Sequence, residues 1–181
     1  MTEEQQAAIV EFALGRMSRE ALEQLLCVTL DDDGAIADLL NRAIASRDGK
    51  HVQCALLLAF GVWGIHLDAP GGVDIVPALL VLLRAPWCTS HEDVALVLQW
   101  RRDARAIDAL FETALTKFPY LDHDNSYPLA RKCTWALADI GTPEARAKLG
   151  ILAATDDPEI AGYAQRRLDR WDAEISRKGP R

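Results

Sequence analysis

Residues Leu129 to Leu168, which read LARKCTWALADIGTPEARAKLGILAATDDPEIAGYAQRRL, carry the clearest structural pattern in the chain. The apolar residues of this stretch recur every three or four positions, which is the spacing of the buried face of an α-helix. Two breaks interrupt this periodicity, at Thr142-Pro143 and at Asp157-Pro158. Each places a capping side chain directly before a proline at the first helical position, where a missing N–H is harmless. The stretch therefore predicts three consecutive helices joined by tight turns.

The same pattern occurs earlier in the chain, which indicates an internal repeat. When the segment at Val94 is shifted by 39 positions it overlays the segment at Cys133, and Leu98 then aligns with Leu137. A third, partial copy follows 31 positions later, where Cys133 aligns with Ala164. Each copy reads as an apolar helix, a turn and a second apolar helix. Because one such pair cannot bury its apolar face alone, the repeat predicts a stack of helix pairs.

Helical spacing extends through the rest of the chain, and no stretch shows the sustained alternation of a half-buried strand. The 181 residues, of which 50% are apolar and 26% charged, suit one globular domain. We expect an all-α domain over residues 1–175 with nine or ten helices, the clearest repeats at 89–171 and a flexible tail at 176–181. Thr89-Ser90-His91-Glu92 fits a capping box at one helix start. The acidic first helix and the arginine-rich last one are suitable polar caps of a stack; the arginines are Arg166, Arg167 and Arg170.

The quoted stretch resembles HEAT repeats, in which a helix ending in A-L-x-x-I-G is followed by a turn with proline and by E-A-x-x-x-L. The matching positions are Ala136, Leu137, Ile140, Gly141, Pro143, Glu144, Ala145 and Leu149. The resemblance covers residues 89–171 well and the residues before them weakly. It implies a right-handed α-solenoid of antiparallel helix pairs, a fold that serves many roles.

Charge and hydropathy argue against several classes of protein. A formal net charge of -7 and a pI of about 5.1 disfavour general nucleic-acid binding. The longest apolar runs, Ala55–Ile65 and Ile75–Leu83, are well short of the roughly 20 residues that span a bilayer. The N-terminus lacks the pattern of a signal peptide, and the four cysteines form no CxxC pair. We therefore expect a cytoplasmic protein with free thiols and no membrane partner.

No motif in the sequence predicts an active site. There is no glycine-rich phosphate loop, HExxH or GxSxG. His51 and Cys54 lie three residues apart, but two ligands are too few for a structural zinc site. Asp31-Asp32-Asp33-Gly34 lacks the ligand spacing of a calcium loop, and His91-Glu92-Asp93 lies where helix capping alone predicts acidic residues. We expect no catalysis, no metal and no other cofactor.

The leading candidate for a binding site is the long connection Lys117–Pro128, which reads KFPYLDHDNSYP. Long loops in compact domains are often functional, and aromatic side chains make good interface anchors. Trp100 and Arg101, at the end of a helix, form a second candidate. The predicted partner-binding residues are Phe118, Tyr120, Asp122, His123, Asp124, Tyr127, Trp100 and Arg101. The alternative interpretation is that Tyr120 and Leu121 fold back over the last repeats.

Small acidic proteins that resemble HEAT stacks include bacterial immunity proteins, which neutralise a cognate toxin in the producing cell. The resemblance thus implies a cytoplasmic bacterial immunity protein whose partner is another protein, such as a toxin domain, and not a nucleic acid. Its acidic face could mimic nucleic acid and speed association with a basic nuclease toxin. Two alternatives stay open: an adaptor or assembly subunit, and a HEAT-fold enzyme of the DNA glycosylase or chromophore lyase type. A glycosylase would be expected to carry a basic groove.

Overall fold

The computed structural model describes residues 1–63, 73–121 and 127–178. Within these ranges the chain contains α-helices and no β-strand, which confirms the prediction of an all-α protein. The helices are α1 Glu3–Ala13, α2 Arg19–Leu26, α3 Asp33–Ser46, α4 Gly49–Trp63, α5 Val76–Arg84, α6 His91–Arg101, α7 Ile107–Ala114, α8 Pro128–Ile140, α9 Pro143–Ala153, α10 Pro158–Asp169 and α11 Trp171–Lys178. The described residues form eleven helices, whereas the sequence predicted nine or ten. The additional helix is α11, which follows the end of α10 at Asp169 and includes residues 176–178 of the predicted tail.

The chain divides into two compact units. Unit 1 consists of Met1–Ala78 and Trp87–Ser90, and unit 2 consists of Leu79–Pro86 and His91–Arg181. Charge is divided unevenly between them. Unit 1 has 12 acidic and 5 basic residues, a difference of -7, whereas unit 2 has 15 of each. Unit 1 therefore carries the whole net charge of the protein.

Side-chain caps fix the starts of the helices in unit 1. The hydroxyl of Thr2 accepts a hydrogen bond from the Gln5 N–H at 3.2 Å, and the Gln5 side chain returns one to the Thr2 N–H. A carboxylate oxygen of Asp32 accepts from the Gly34 N–H at 2.9 Å at the start of α3. That acidic turn is therefore a helix cap. Helix α1 packs against α2 and α4, and α3 packs against α4.

Helix α8 is the centre of unit 2. It packs against α6, α7, α9, α10 and α11. The side chains that the repeat aligns, among them Leu98, Cys133, Leu137 and Ala164, are all buried. The capping side chains Thr142 and Asp157 accept backbone N–H groups at the starts of α9 and α10, as the sequence predicts.

Three polar contacts in unit 2 have the same separation in sequence. Each joins residues 40 positions apart: Glu92 to Lys132 at 3.0 Å, Gln99 to Asp139 at 2.8 Å, and Asp108 to Lys148 at 2.6 Å. The first contact joins the beginnings of α6 and α8 and the second joins their ends, so these two helices run parallel. Parallel neighbours with this separation are the contacts expected of adjacent copies of a 39-residue repeat. The solenoid and its antiparallel pairs remain predictions.

Two glycines give opposite predictions for substitution by alanine. Gly141 ends α8 at φ 74°, and a Cβ there would lie 2.7 Å from Ile175 Cδ1. We expect Gly141→Ala to lower the free energy of unfolding by about 1–2 kcal/mol, because a left-handed backbone disfavours a side chain. Gly150 lies within α9, where an added Cβ meets nothing within 4 Å. We expect Gly150→Ala to raise the free energy of unfolding by about 0.5–1 kcal/mol. Urea denaturation measures both, and a shared sign would contradict this account.

Candidate partner-binding surface

The start of α6 and the first part of the Lys117–Pro128 connection form one packed cluster. His91 is fully buried, and its Nε2–H donates to the Ala85 carbonyl at 3.1 Å. The Tyr120 hydroxyl accepts from the His91 backbone N–H at 3.2 Å and lies 3.0 Å from His91 Nδ1, to which it donates its proton. The Phe118 ring stacks on the imidazole with centroids 3.8 Å apart. Every polar atom of His91 in this cluster is therefore hydrogen-bonded.

The electrostatics of this cluster favour a structural role. Burial lowers the pKa of His91 to about 4, because the imidazolium would lose its hydration. The imidazole is thus neutral at pH 7, and both of its nitrogens are engaged. Burial also raises the pKa of Asp93, and Glu92 pairs with Lys132. Burial of His91 and Asp93 and the ion pair of Glu92 thus account for the electrostatics of this triplet.

The predicted residues of the connection have different surroundings. Phe118 is only 8% exposed and stacks on His91 inside the cluster, so we leave it out of the proposed binding surface. Tyr120 folds back onto the start of α6, whereas the alternative interpretation placed it over the last repeats, and it remains 36% exposed. Tyr127 is half-buried, and its hydroxyl accepts a hydrogen bond from Lys117 Nζ at 3.2 Å. The predicted contacts Asp122, His123 and Asp124 lie outside the described residues.

A small apolar cavity separates the two ends of the connection. Leu115, Phe118, Leu121, Tyr127 and Ile160 are among the residues that line it. Its volume is about 30 Å³.

Trp100 and Arg101 lie at the opposite end of α6 from this cluster. Trp100 follows His91 by nine residues, which corresponds to roughly 13 Å along a helix axis. Trp100 is 38% exposed, and Arg101 is half-buried. The structure thus divides the predicted binding residues between two places, with Tyr120 and Tyr127 at one and Trp100 and Arg101 at the other.

Two arginine–aromatic stacks were missed by sequence reasoning. Arg167 Cζ lies 3.9 Å from the centroid of the Trp135 ring, and Arg166 Cζ lies 4.9 Å from that of Tyr163. Trp135 remains 37% exposed. The spacing of three residues between Tyr163 and Arg166 was the available signal for the second stack, whereas no local pattern indicates that Arg167 meets Trp135. Both arginines were predicted only as part of a polar cap.

Three of the four thiols are buried, and none of the four forms a disulfide bond. The buried ones are Cys54, Cys88 and Cys133, and Cys27 is exposed. Burial raises the pKa of Cys54 and of Cys133, which disfavours the reactive thiolate.

In residues 1–63, 73–121 and 127–178, no group of three His, Cys, Asp or Glu side chains is placed to hold a metal ion. None of the helices in these ranges is both long and apolar enough to cross a lipid bilayer.

The fold and the surface define an all-α protein with exposed aromatic side chains on packed helices. Comparison with protein-family models, curated proteins and solved structures finds no match to the chain.

Proposed function

We propose that this protein acts by binding another protein and not by catalysis. The observation that carries the proposal is the exposure of Trp100 and Tyr120, each by more than a third, on well-packed parts of unit 2. Trp, Tyr and Arg are the residues that most often dominate binding energy at protein interfaces. An aromatic side chain held by a helix also loses little entropy when it enters a partner's pocket.

The perturbed titratable groups support this interpretation. A catalytic acid or base needs an accessible proton and a pKa near the operating pH. His91 has neither, because both nitrogens are hydrogen-bonded and its pKa is lowered to about 4. The buried thiol of Cys133 has a raised pKa and lies in the core.

We further propose that unit 2 is a HEAT-like stack and that the protein is a bacterial cytoplasmic immunity protein. The 40-residue contacts between helices support the stack. The concentration of all net negative charge in unit 1 supports a basic partner, because an opposite charge on a toxin domain would steer association. The proposed HEAT-like family rests on the resemblance of residues 89–171 to HEAT repeats.

Affinity capture from the producing cells, followed by reconstitution with the purified partner, tests this function. We expect one stoichiometric protein and a Kd that rises by about 30-fold in Trp100→Ala, as expected of a 2 kcal/mol hot spot. Ile151→Ala is the matched control, since Ile151 is an exposed apolar residue on α9. A toxin domain in the partner, with growth protection on co-expression, would identify an immunity protein. Folded protein that captures no partner would rule out the binding role.

A further inference from the structure

Helices α8 and α10 present a basic and aromatic surface on a protein whose net charge is -7. Its residues are spaced three or four apart along each helix, so that they share one side of it. We call this surface the arginine face; it consists of Arg131 and Trp135 on α8 and of Tyr163, Arg166, Arg167 and Arg170 on α10. The two helices pack together, and the stack of Arg167 on Trp135 joins the two rows.

Three guanidinium groups of the arginine face are exposed and make no ion pair within the part of the chain that the structure describes. They belong to Arg131, Arg166 and Arg170. The neighbouring carboxylate of Asp169 is instead bound by Gln165 Nε2 at 2.7 Å. Burial lowers the pKa of Arg167, Glu174 raises it, and the charges of Arg170 and Arg166 lower it again. Arg131, Arg166 and Arg170 therefore add exposed positive charge to this face, whereas Arg167 is paired with Glu174.

The aromatic rings hold part of this charge in place. Arg166 lies over Tyr163, and Arg167 lies over Trp135. Of the three exposed arginines, Arg166 is held in this way. Its ring limits the freedom of the side chain, so less entropy is lost when the guanidinium binds an anion. The same stacking covers one face of each ring, which a nucleic-acid base would otherwise use.

We propose that the arginine face binds an acidic segment of a partner protein, whose carboxylates pair with Arg131, Arg166 and Arg170 while its apolar atoms contact Trp135. The fork of a guanidinium group matches a carboxylate with two parallel hydrogen bonds. A short acidic segment approaches a small local patch, whereas a long nucleic acid would also meet the repulsion of the whole chain. The choice of a protein ligand rests on the proposed function, but the face itself can be tested without that partner.

The test is titration of the full-length protein with a short fluorescent oligoglutamate peptide at low salt. We expect binding that weakens as salt is added. In the triple variant Arg131→Gln/Arg166→Gln/Arg170→Gln, the Kd should rise by about tenfold or more. The triple variant Arg16→Gln/Arg42→Gln/Arg47→Gln removes three exposed charges from unit 1 and is the matched control. Its Kd should stay within about twofold of the wild type.

Further arms distinguish the possible causes. The Arg→Lys version of the first triple variant keeps the charge but loses the fork, so it should weaken binding by an intermediate factor. Circular dichroism establishes that each variant is folded. Absence of peptide binding to the wild type, or equal weakening in both Gln variants, would overturn the proposal. So would tighter binding of an oligothymidylate with the same number of charges, which would assign the face to nucleic acid. Failure of the partner capture alone leaves these peptide results unaffected.

Discussion

Replacing Arg167 with alanine is expected to lower the free energy of unfolding by about 3–5 kcal/mol. Arg167 is 5% exposed and Glu174 is 9% exposed, and Arg167 Nη1 donates to Glu174 Oε1 at 2.7 Å. Removal of the guanidinium would take from the buried Glu174 carboxylate the ion pair that it makes with Arg167. It would also remove the group that stacks on Trp135 at 3.9 Å. Both losses act in the same direction.

A double-mutant cycle separates this pair from its surroundings. Arg167→Met/Glu174→Leu should be less destabilised than Arg167→Met or Glu174→Leu alone, because apolar groups in place of both charges leave no buried ion. Arg84→Ala is the control, since Arg84 pairs with Glu112 at 3.1 Å while both side chains are exposed. It should change stability by less than about 1 kcal/mol. An Arg167→Ala variant as stable as Arg84→Ala would contradict the prediction.

Local patterns in the sequence predicted the helices because their determinants are themselves local. Thr142 and Asp157 cap the helices that follow them, and the prolines next to them begin those helices. The apolar periodicity likewise selected buried residues such as Leu98 and Leu137. The start of α6 was harder to predict. It begins at His91, whose backbone N–H donates a hydrogen bond to the Tyr120 hydroxyl 29 residues away.

The site was predicted less well because it depends on which distant side chains meet. Phe118 and Tyr120 occur in a polar connection and therefore suggested exposure, yet one is buried against His91 and the other is bound to it. Trp135 lies on α8, most of whose residues are buried, yet it is 37% exposed and lies beneath Arg167 of α10. Nothing in the order of residues specifies these contacts, since each joins residues about 30 positions apart and depends on how the helices pack.

Acidification is expected to destabilise the protein through His91. The pKa of His91 is about 4 in the folded protein, below its ordinary value of 6.5. The unfolded chain therefore binds this proton more readily. The stabilising contribution of the neutral imidazole is complete above pH 6.5 and decreases as the pH falls towards 4. The loss at pH 4 is about 3 kcal/mol, since each unit of pKa difference corresponds to roughly 1.4 kcal/mol.

The variant His91→Gln isolates this effect from the titration of the carboxylates. It removes the titrating group, so the difference in unfolding free energy between wild type and variant should shrink by about 3 kcal/mol between pH 7 and pH 4. Urea denaturation at a series of pH values gives that difference, and the carboxylates common to both proteins cancel. An NMR titration of the imidazole resonances gives the folded pKa directly. A midpoint near 6.5 would mean that His91 is solvated, and its contacts with Ala85 and Tyr120 could then not be those that hold the start of α6 in solution.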